Sequence, residues 1–442
     1  MSSIRITDAR IVTPDGIVEG DCLIRDDRIE AIGNVTADAD EIIAAEGRVL
    51  LPGMIDDQVH FREPGITHKA DIAHESRAAA AGGITSFMEM PNTVPPTLSM
   101  DAIEDKCAIA ARTSAANYAF YLGASNDNLE AVKTADPRRI AGIKVFMGSS
   151  TGNMLVDQEA TLTGIFKHAP CLVATHCEHT PTVVANENAA RERFGDDVPV
   201  DQHPVIRNAE VCYASSSKAV ALAKEHGTRL HVLHLTTARE MSLFEPGPSA
   251  TKRITAEVCV HHLWFSDADY AAKGANIKCN PAVKSAADRA ALRAALIEGR
   301  IDVIATDHAP HTREEKARPG MSAPAGLPYA QHALPALLDL VHQGVFSLEL
   351  IADRYAANVA RMYDIRERGS IVPGNFADLT LVDPSAAVTI RDDTILSKCA
   401  WSPFAGDTLH GRVDVTLVNG QVVWRDGQIV DGVRGRRLVF DR

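Results

Sequence analysis

No apolar run in the 442 residues approaches the roughly 20 that a membrane span requires. Positive charge is also short: the net charge is −13, which argues against nucleic acid or an anionic membrane as the main partner. A local basic pocket can still take a small anion. The first residues, MSSIRITDARIV, lack the basic stretch and apolar core of a secretory signal, so a cytoplasmic chain is expected. The eight cysteines contain no CxxC pair, and Cys171, Cys259 and Cys279 lie in apolar, strand-like segments. They read as buried free thiols in a reducing compartment. Low-complexity tracts are missing too. One further absence is a single residue. In PGMIDDQVHFREPG (52–65) a metal-binding strand end would carry a second histidine two residues before His60, and Gln58 stands there.

What is present is ordinary globular composition, 45% hydrophobic and 23% charged, in a chain long enough for more than one domain. Residues 1–51 read as short strands with turns, and so do residues 369–442, where ADLTLVD, DVTLVNG and QVVWRDGQIV carry Asn-Gly and Asp-Gly turns. These end segments are expected to pair into one small β-sandwich domain. Between them, over 52–368, short apolar runs alternate with Ala-rich stretches of helical period. The runs are GMIDDQVH, ITSFMEMPN, NYAFYLGAS, GIKVFMGSS, CLVATHCE, LHVLHLTT, TAEVCVHH and DVIATDHAP. Eight such units predict an α/β fold, a parallel (β/α)8 TIM-type barrel whose chemistry sits at the C-terminal ends of its strands. GMSAPAGLP (320–328) is expected to form an ordered loop over that face. GSSTGNMLVD, after Lys144, has the composition of a lid, although most such loops are only loops.

The strand ends carry an unusual set: His60 and Arg62, Lys144, His176, His234 and Asp307. One histidine at a strand end is more often structural. Three with an aspartate and a buried lysine on one face favour a metal centre, because nitrogen and carboxylate donors are what zinc takes in open, catalytic sites. His60 and Arg62 stand two apart and share a side of an extended chain. Lys144 sits in the apolar run Gly-Ile-Lys-Val-Phe-Met. It either snorkels to a rim or is held neutral by burial. A neutral amine reacts with carbon dioxide to give an anionic carbamate that can bridge two metals, and this reading is preferred. His231, His261, His262 and His308 read as structural residues.

Residues 305–316, ATDHAPHTREEK, and HFREPG at 60–65 resemble dihydroorotase signatures. MPNT (90–93), THCE (175–178), VLHLTT (232–237) and CNPAVKS (279–285) are similar to other motifs of that family, within the amidohydrolase superfamily. The resemblance spans nearly the whole chain. It implies reversible interconversion of L-dihydroorotate and N-carbamoyl-L-aspartate, a step of pyrimidine biosynthesis, driven by a metal-activated hydroxide. It implies His60, carboxylated Lys144, His176, His234 and Asp307 as metal ligands, with Asp307 also general base and acid. Arg62, Asn92 and His311 would hold the substrate carboxylate, Asn280 the ring, and the chain would form a homodimer.

The family's first strand supplies two histidines to one metal, and here only His60 remains. Gln58 offers a neutral amide oxygen, a weaker zinc ligand than imidazole. One firmly held zinc is therefore expected, and a second that is weak or absent. Asp57 should face away from Gln58 and His60 unless the strand bulges. Two rival functions stay open: another cyclic amidase (dihydropyrimidinase, hydantoinase or allantoinase), or a catalytically dead scaffold for a partner.

Overall fold

The computed structural model describes residues 2–148 and 154–442. Residues 149–153, the heart of the lid-like stretch after Lys144, lie outside the described residues.

The two chain ends form one continuous nine-stranded sheet. Ser3–Thr13, Gly16–Arg25 and Arg28–Gly33 make an antiparallel meander, and Glu41–Ala44 and Val49–Pro52 pair parallel with its first strand. The C-terminal strands Leu379–Thr389, Thr408–Val418, Gln421–Arg425 and Gln428–Ile429 extend the same sheet. The seam is antiparallel, Leu379 opposite Pro52 through Val382 opposite Val49. Alternation places Ile4, Ile6, Ile11, Cys22, Ile24, Leu379, Leu381, Val415 and Leu417 in a core of the sheet's own. The chain's end leaves this sheet: Arg437 bridges Tyr118, and the Leu438 amide donates to the Tyr118 carbonyl.

Among the described residues eight parallel strands run between the ends. Met54–Val59, Ile84–Glu89 and Asn117–Phe120 form one sheet. The third strand resumes at Leu122–Gly123, which opens a second sheet with Ile143–Phe146, Val173–His176, Leu230–Val232, Ile254–Cys259 and Val303–Ala305. All pairings in it are parallel. The eighth strand returns to the first through the parallel bridge Val59–His308, and the His60 amide donates to the His308 carbonyl at 2.7 Å. Asp56 reinforces this seam by accepting from the Thr306 amide and hydroxyl.

The Ala-rich stretches are helices: Ile72–Ala81, Met100–Thr113, Ala209–His226 and Ala286–Glu298. Each starts on a side-chain cap, from Asp71, Ser99, Asn208 and Ser285. The β-then-α alternation is not uniform. The third and fourth strands are joined by the five-residue helix Leu129–Lys133. The sixth and seventh are joined by the 3-10 turns Ala238–Leu243 and Ser249–Thr251, where Pro246, Gly247 and Pro248 deny the chain a helix.

Candidate active site

Gln58, His60, Arg62, Asn92, Lys144, His176, His234, Asn280 and Asp307 line one cavity of about 150 Å3, closed on one side by Pro324, Ala325 and Gly326. Apart from His311, every site residue expected from sequence is brought to it. His311 stands just behind, with its Nε2 3.2 Å from Arg62 Nη2. Three of these residues bend the backbone into the left-handed region: Arg62 (φ 68°), His234 (φ 40°) and Asp307 (φ 49°). Such angles are strained for residues with a Cβ and recur where side chains must be aimed. They also change one expectation. The strand ends at Val59, so His60 and Arg62 reach the cavity through a turn and not as neighbours on an extended face.

Donor atoms approach in two pairs. His60 Nε2 lies 3.0 Å from Asp307 Oδ1, and His176 Nδ1 lies 3.0 Å from His234 Nε2. His60 Nδ1 is 2.8 Å from Asn92 Oδ1, an acceptor, which puts the ring proton on Nδ1. Its Nε2 lone pair then confronts a carboxylate oxygen, an arrangement that calls for a cation between them. Burial lowers the His60 pKa against the pull of Asp307, which disfavours a proton in that place. His176 Nε2 is engaged by Glu178 Oε2 at 3.0 Å, so its Nδ1 is the free lone pair. Among the described residues His234 Nδ1 is buried without a partner. This donor set fits a metal ion.

Lys144 is 1% exposed, with its Nζ 4.7 Å from the Phe146 ring centre. Burial brings its pKa down to about 8, so a neutral amine is accessible near neutrality.

Gln58 Nε2 donates to Asp307 Oδ1 at 3.1 Å, and its Oε1 is buried without a partner among the described residues. The register does slip between Asp56 and Val59. Yet Asp57 does not turn to the cavity. Its carboxylate takes the Tyr363 hydroxyl at 2.9 Å and faces His231 Nε2 at 3.3 Å.

Around the cavity stand residues that sequence reading missed. Glu178 links His176 to Arg207. Burial opposes its ionisation, but Arg207 and His176 outweigh that and bring its pKa down to about 2. Glu257 Oε1 accepts the His234 amide at 2.9 Å and so holds that strained turn. His203 Nε2 reaches Asn280 Oδ1 at 3.0 Å and the Cys279 carbonyl at 2.8 Å. Lys278 Nζ donates to the Met321 and Ala323 carbonyls, and Lys316 Nζ to those of Pro324 and Gly326. These lysines fix the 320–328 loop against the cavity. Of the histidines read as structural, His308 is fully engaged by Glu75 and by the Tyr329 and Ala330 amides. His231 lies between Asp57 and Glu257, which raise its pKa to about 9 in spite of burial.

The amidohydrolase family model matches residues 49–423, and the chain belongs to that family. Within it the chain is 37% identical to a dihydroorotase of Halobacterium salinarum, over 97% of this chain and 98% of the relative. It is 32% identical to an allantoinase of Rubrobacter xylanophilus, over 96% of each. An L-hydantoinase (dihydropyrimidinase) of Arthrobacter aurescens superposes with a TM-score of 0.93 at 26% identity, covering 99% of this chain and all of that one. The chain is thus an amidohydrolase-family enzyme among cyclic amidases. Among the described residues no helix is long and apolar enough to cross a membrane.

Proposed function

We propose that this enzyme is a dihydroorotase, opening L-dihydroorotate to N-carbamoyl-L-aspartate and closing it again. The observation that carries the reading is Arg62. Arg62 is 6% exposed and lines the cavity. It bonds to the Pro310 carbonyl and to His311, and among the described residues it forms no ion pair. A buried cation without a carboxylate is complementary to a substrate that brings one. Asn92 and His311 flank that position, and Asn280, steadied by His203, faces the ring. Burial and the neighbouring Arg62 and Lys69 hold His311 neutral, so it adds hydrogen bonding and no further charge.

His60 and Asp307 would hold one divalent ion and His176 and His234 another, with Lys144 as carbamate between them. Zinc suits these donors. When bound, the ions supply an activated water and polarise the ring carbonyl. Asp307 accepts the proton of the attacking water and delivers it to the leaving ring nitrogen, with the Gln58 amide orienting its carboxylate. Gln58 spends its amide N–H on Asp307 where a histidine would ligate, so the His60 side is the weaker of the two. The eight strands are read as a closed (β/α)8 barrel over 52–368, with 1–51 and 369–442 composing the β domain. A cytoplasmic homodimer in pyrimidine biosynthesis completes the reading.

The test is ring opening of L-dihydroorotate by zinc-replete protein, followed by absorbance, with a chelated sample beside it. Metal-dependent turnover is expected, and its absence in the replete sample refutes the reading. The second reading, a cyclic amidase for uncharged rings, is favoured by the hydantoinase-like superposition. Turnover of dihydrouracil, hydantoin or allantoin without dihydroorotate would select it.

A further inference from the structure

Cys259 closes the seventh parallel strand, and His261 and His262 follow at once on the short helix Val260–Trp264. None of the three is more than 2% exposed. One donor atom from each lies within 4.8 Å of the others. Neither the family resemblance nor the proposed catalysis uses them.

The hydrogen bonds around the two rings determine their tautomers. The Tyr329 hydroxyl donates to the Thr306 carbonyl at 2.5 Å. It can therefore only accept from His261 Nδ1, 2.7 Å away. His261 carries its proton on Nδ1 and a lone pair on Nε2. The Pro281 carbonyl can only accept, and His262 Nε2 lies 3.1 Å from it. His262 thus carries its proton on Nε2 and a lone pair on Nδ1. Those two lone-pair nitrogens, His261 Nε2 and His262 Nδ1, are both buried without a hydrogen-bond partner among the described residues. Burial holds both rings neutral, His261 with a pKa of about 4. One nitrogen fixed by the protein and the other left as a free lone pair is how metal-binding histidines are presented. The thiol of Cys259 has only a weak contact of 3.8 Å to Glu257 Oε1. Among the described residues the other buried group with metal-like donors, Asp57, His231 and Glu257, differs because the His231 imidazolium already sits between its two carboxylates.

We propose that Cys259, His261 and His262 form a second zinc site, separate from the catalytic one, with Cys259 Sγ, His261 Nε2 and His262 Nδ1 as ligands. One thiolate with two imidazoles matches the sulfur and nitrogen preference of zinc. Coordination replaces the S–H bond of Cys259 by an S–Zn bond and releases one proton to solvent. The imidazoles, already neutral, release none. The site would tie the seventh strand to the Tyr329–Thr306 contact, one residue from Asp307.

Cobalt tests this without reference to catalysis, because the catalytic donors contain no sulfur. The whole chain is stripped of metal and titrated with Co2+, following the near-ultraviolet sulfur-to-cobalt charge-transfer band. The native protein is expected to show the band, and Cys259→Ser to lose it together with one bound cobalt per chain while keeping its far-ultraviolet circular dichroism. If Cys259→Ser does not fold, His262→Gln is read instead, with the same loss of one cobalt. X-ray absorption of the zinc-loaded native protein should independently show a sulfur neighbour. A folded, cobalt-saturated native protein without the band overturns the proposal. So does a band undiminished in Cys259→Ser, or a zinc shell of nitrogen and oxygen alone.

Discussion

Replacing Gln58 by histidine puts the reading of the weak metal position to a quantitative test. In the native chain the Gln58 amide holds Asp307 Oδ1 at 3.1 Å and leaves Oε1 buried and unpartnered. The Gln58→His variant exchanges that hydrogen bond for an imidazole donor beside His60. A four-ligand zinc site contributes about 10–16 kcal/mol, so one ligand is worth roughly 3 kcal/mol. Losing a hydrogen bond to a charged group costs about 1.5 kcal/mol at the low end. The net gain is then about 1.5 kcal/mol, roughly tenfold in affinity. Metal content after equilibrium dialysis against buffered zinc should rise toward one further ion per chain, with the added site about tenfold tighter than the weakest native one. Gln58→Leu, which supplies neither group, should bind less than native. A folded Gln58→His variant with native stoichiometry and affinity would refute the idea that Gln58 stands in for a ligand.

Truncating the buried cation proposed to hold the substrate carboxylate, Arg62→Met, should lower kcat/KM for dihydroorotate by about 30- to 1,000-fold, from roughly 2–4 kcal/mol of lost charge pairing; equal loss on uncharged dihydrouracil would contradict a carboxylate-binding role. The Lys144 ammonium, at about 8, must lose its proton before it can take up carbon dioxide. In metal-free protein the neutral fraction rises with pH through 8, so reactivation by bicarbonate and zinc should speed up about fivefold between pH 7 and 8 and level off above 9; a flat profile counts against the carbamate. Glu178→Gln leaves buried Arg207 without its carboxylate and should cost about 3 kcal/mol in urea unfolding. Glu178 has its pKa depressed in the fold to about 2. Its contribution is therefore present above the ordinary glutamate range and is lost as pH falls toward 2, so native and variant stabilities should converge in acid.

Sequence carried the strand ends well because each of those residues sits at the close of a short apolar run, and a parallel fold gathers such ends on one face. His60, Lys144 and Asp307 were legible for that reason, whereas Asn92 was suggested only by the family resemblance. The 320–328 loop was legible from its Gly and Pro content, but its anchors were not, since Lys278 and Lys316 grip carbonyls that no local pattern announces. Glu257 was hidden in the same way. It lies mid-strand in an apolar run, and only the neighbouring strand's turn at His234 explains it. Asp57 was expected to face away from the cavity and does so, toward His231 and Tyr363, even though the strand slips register there. The pairing of the chain ends was foreseen, whereas the departure of the last residues toward Tyr118 was not.

That pairing bears on how the molecule is made. The strand Val49–Pro52 leaves the ribosome long before its partner Leu379–Thr389 exists. Throughout synthesis this strand, Leu50 and Leu51 included, therefore shows a bare row of amides and carbonyls along its outer edge. Bare sheet edges invite pairing with other chains, and contacts so distant in sequence form late. The nascent chain should accordingly depend on chaperones more than its finished stability suggests, and a transcript cut short before Leu379 would yield an aggregating fragment.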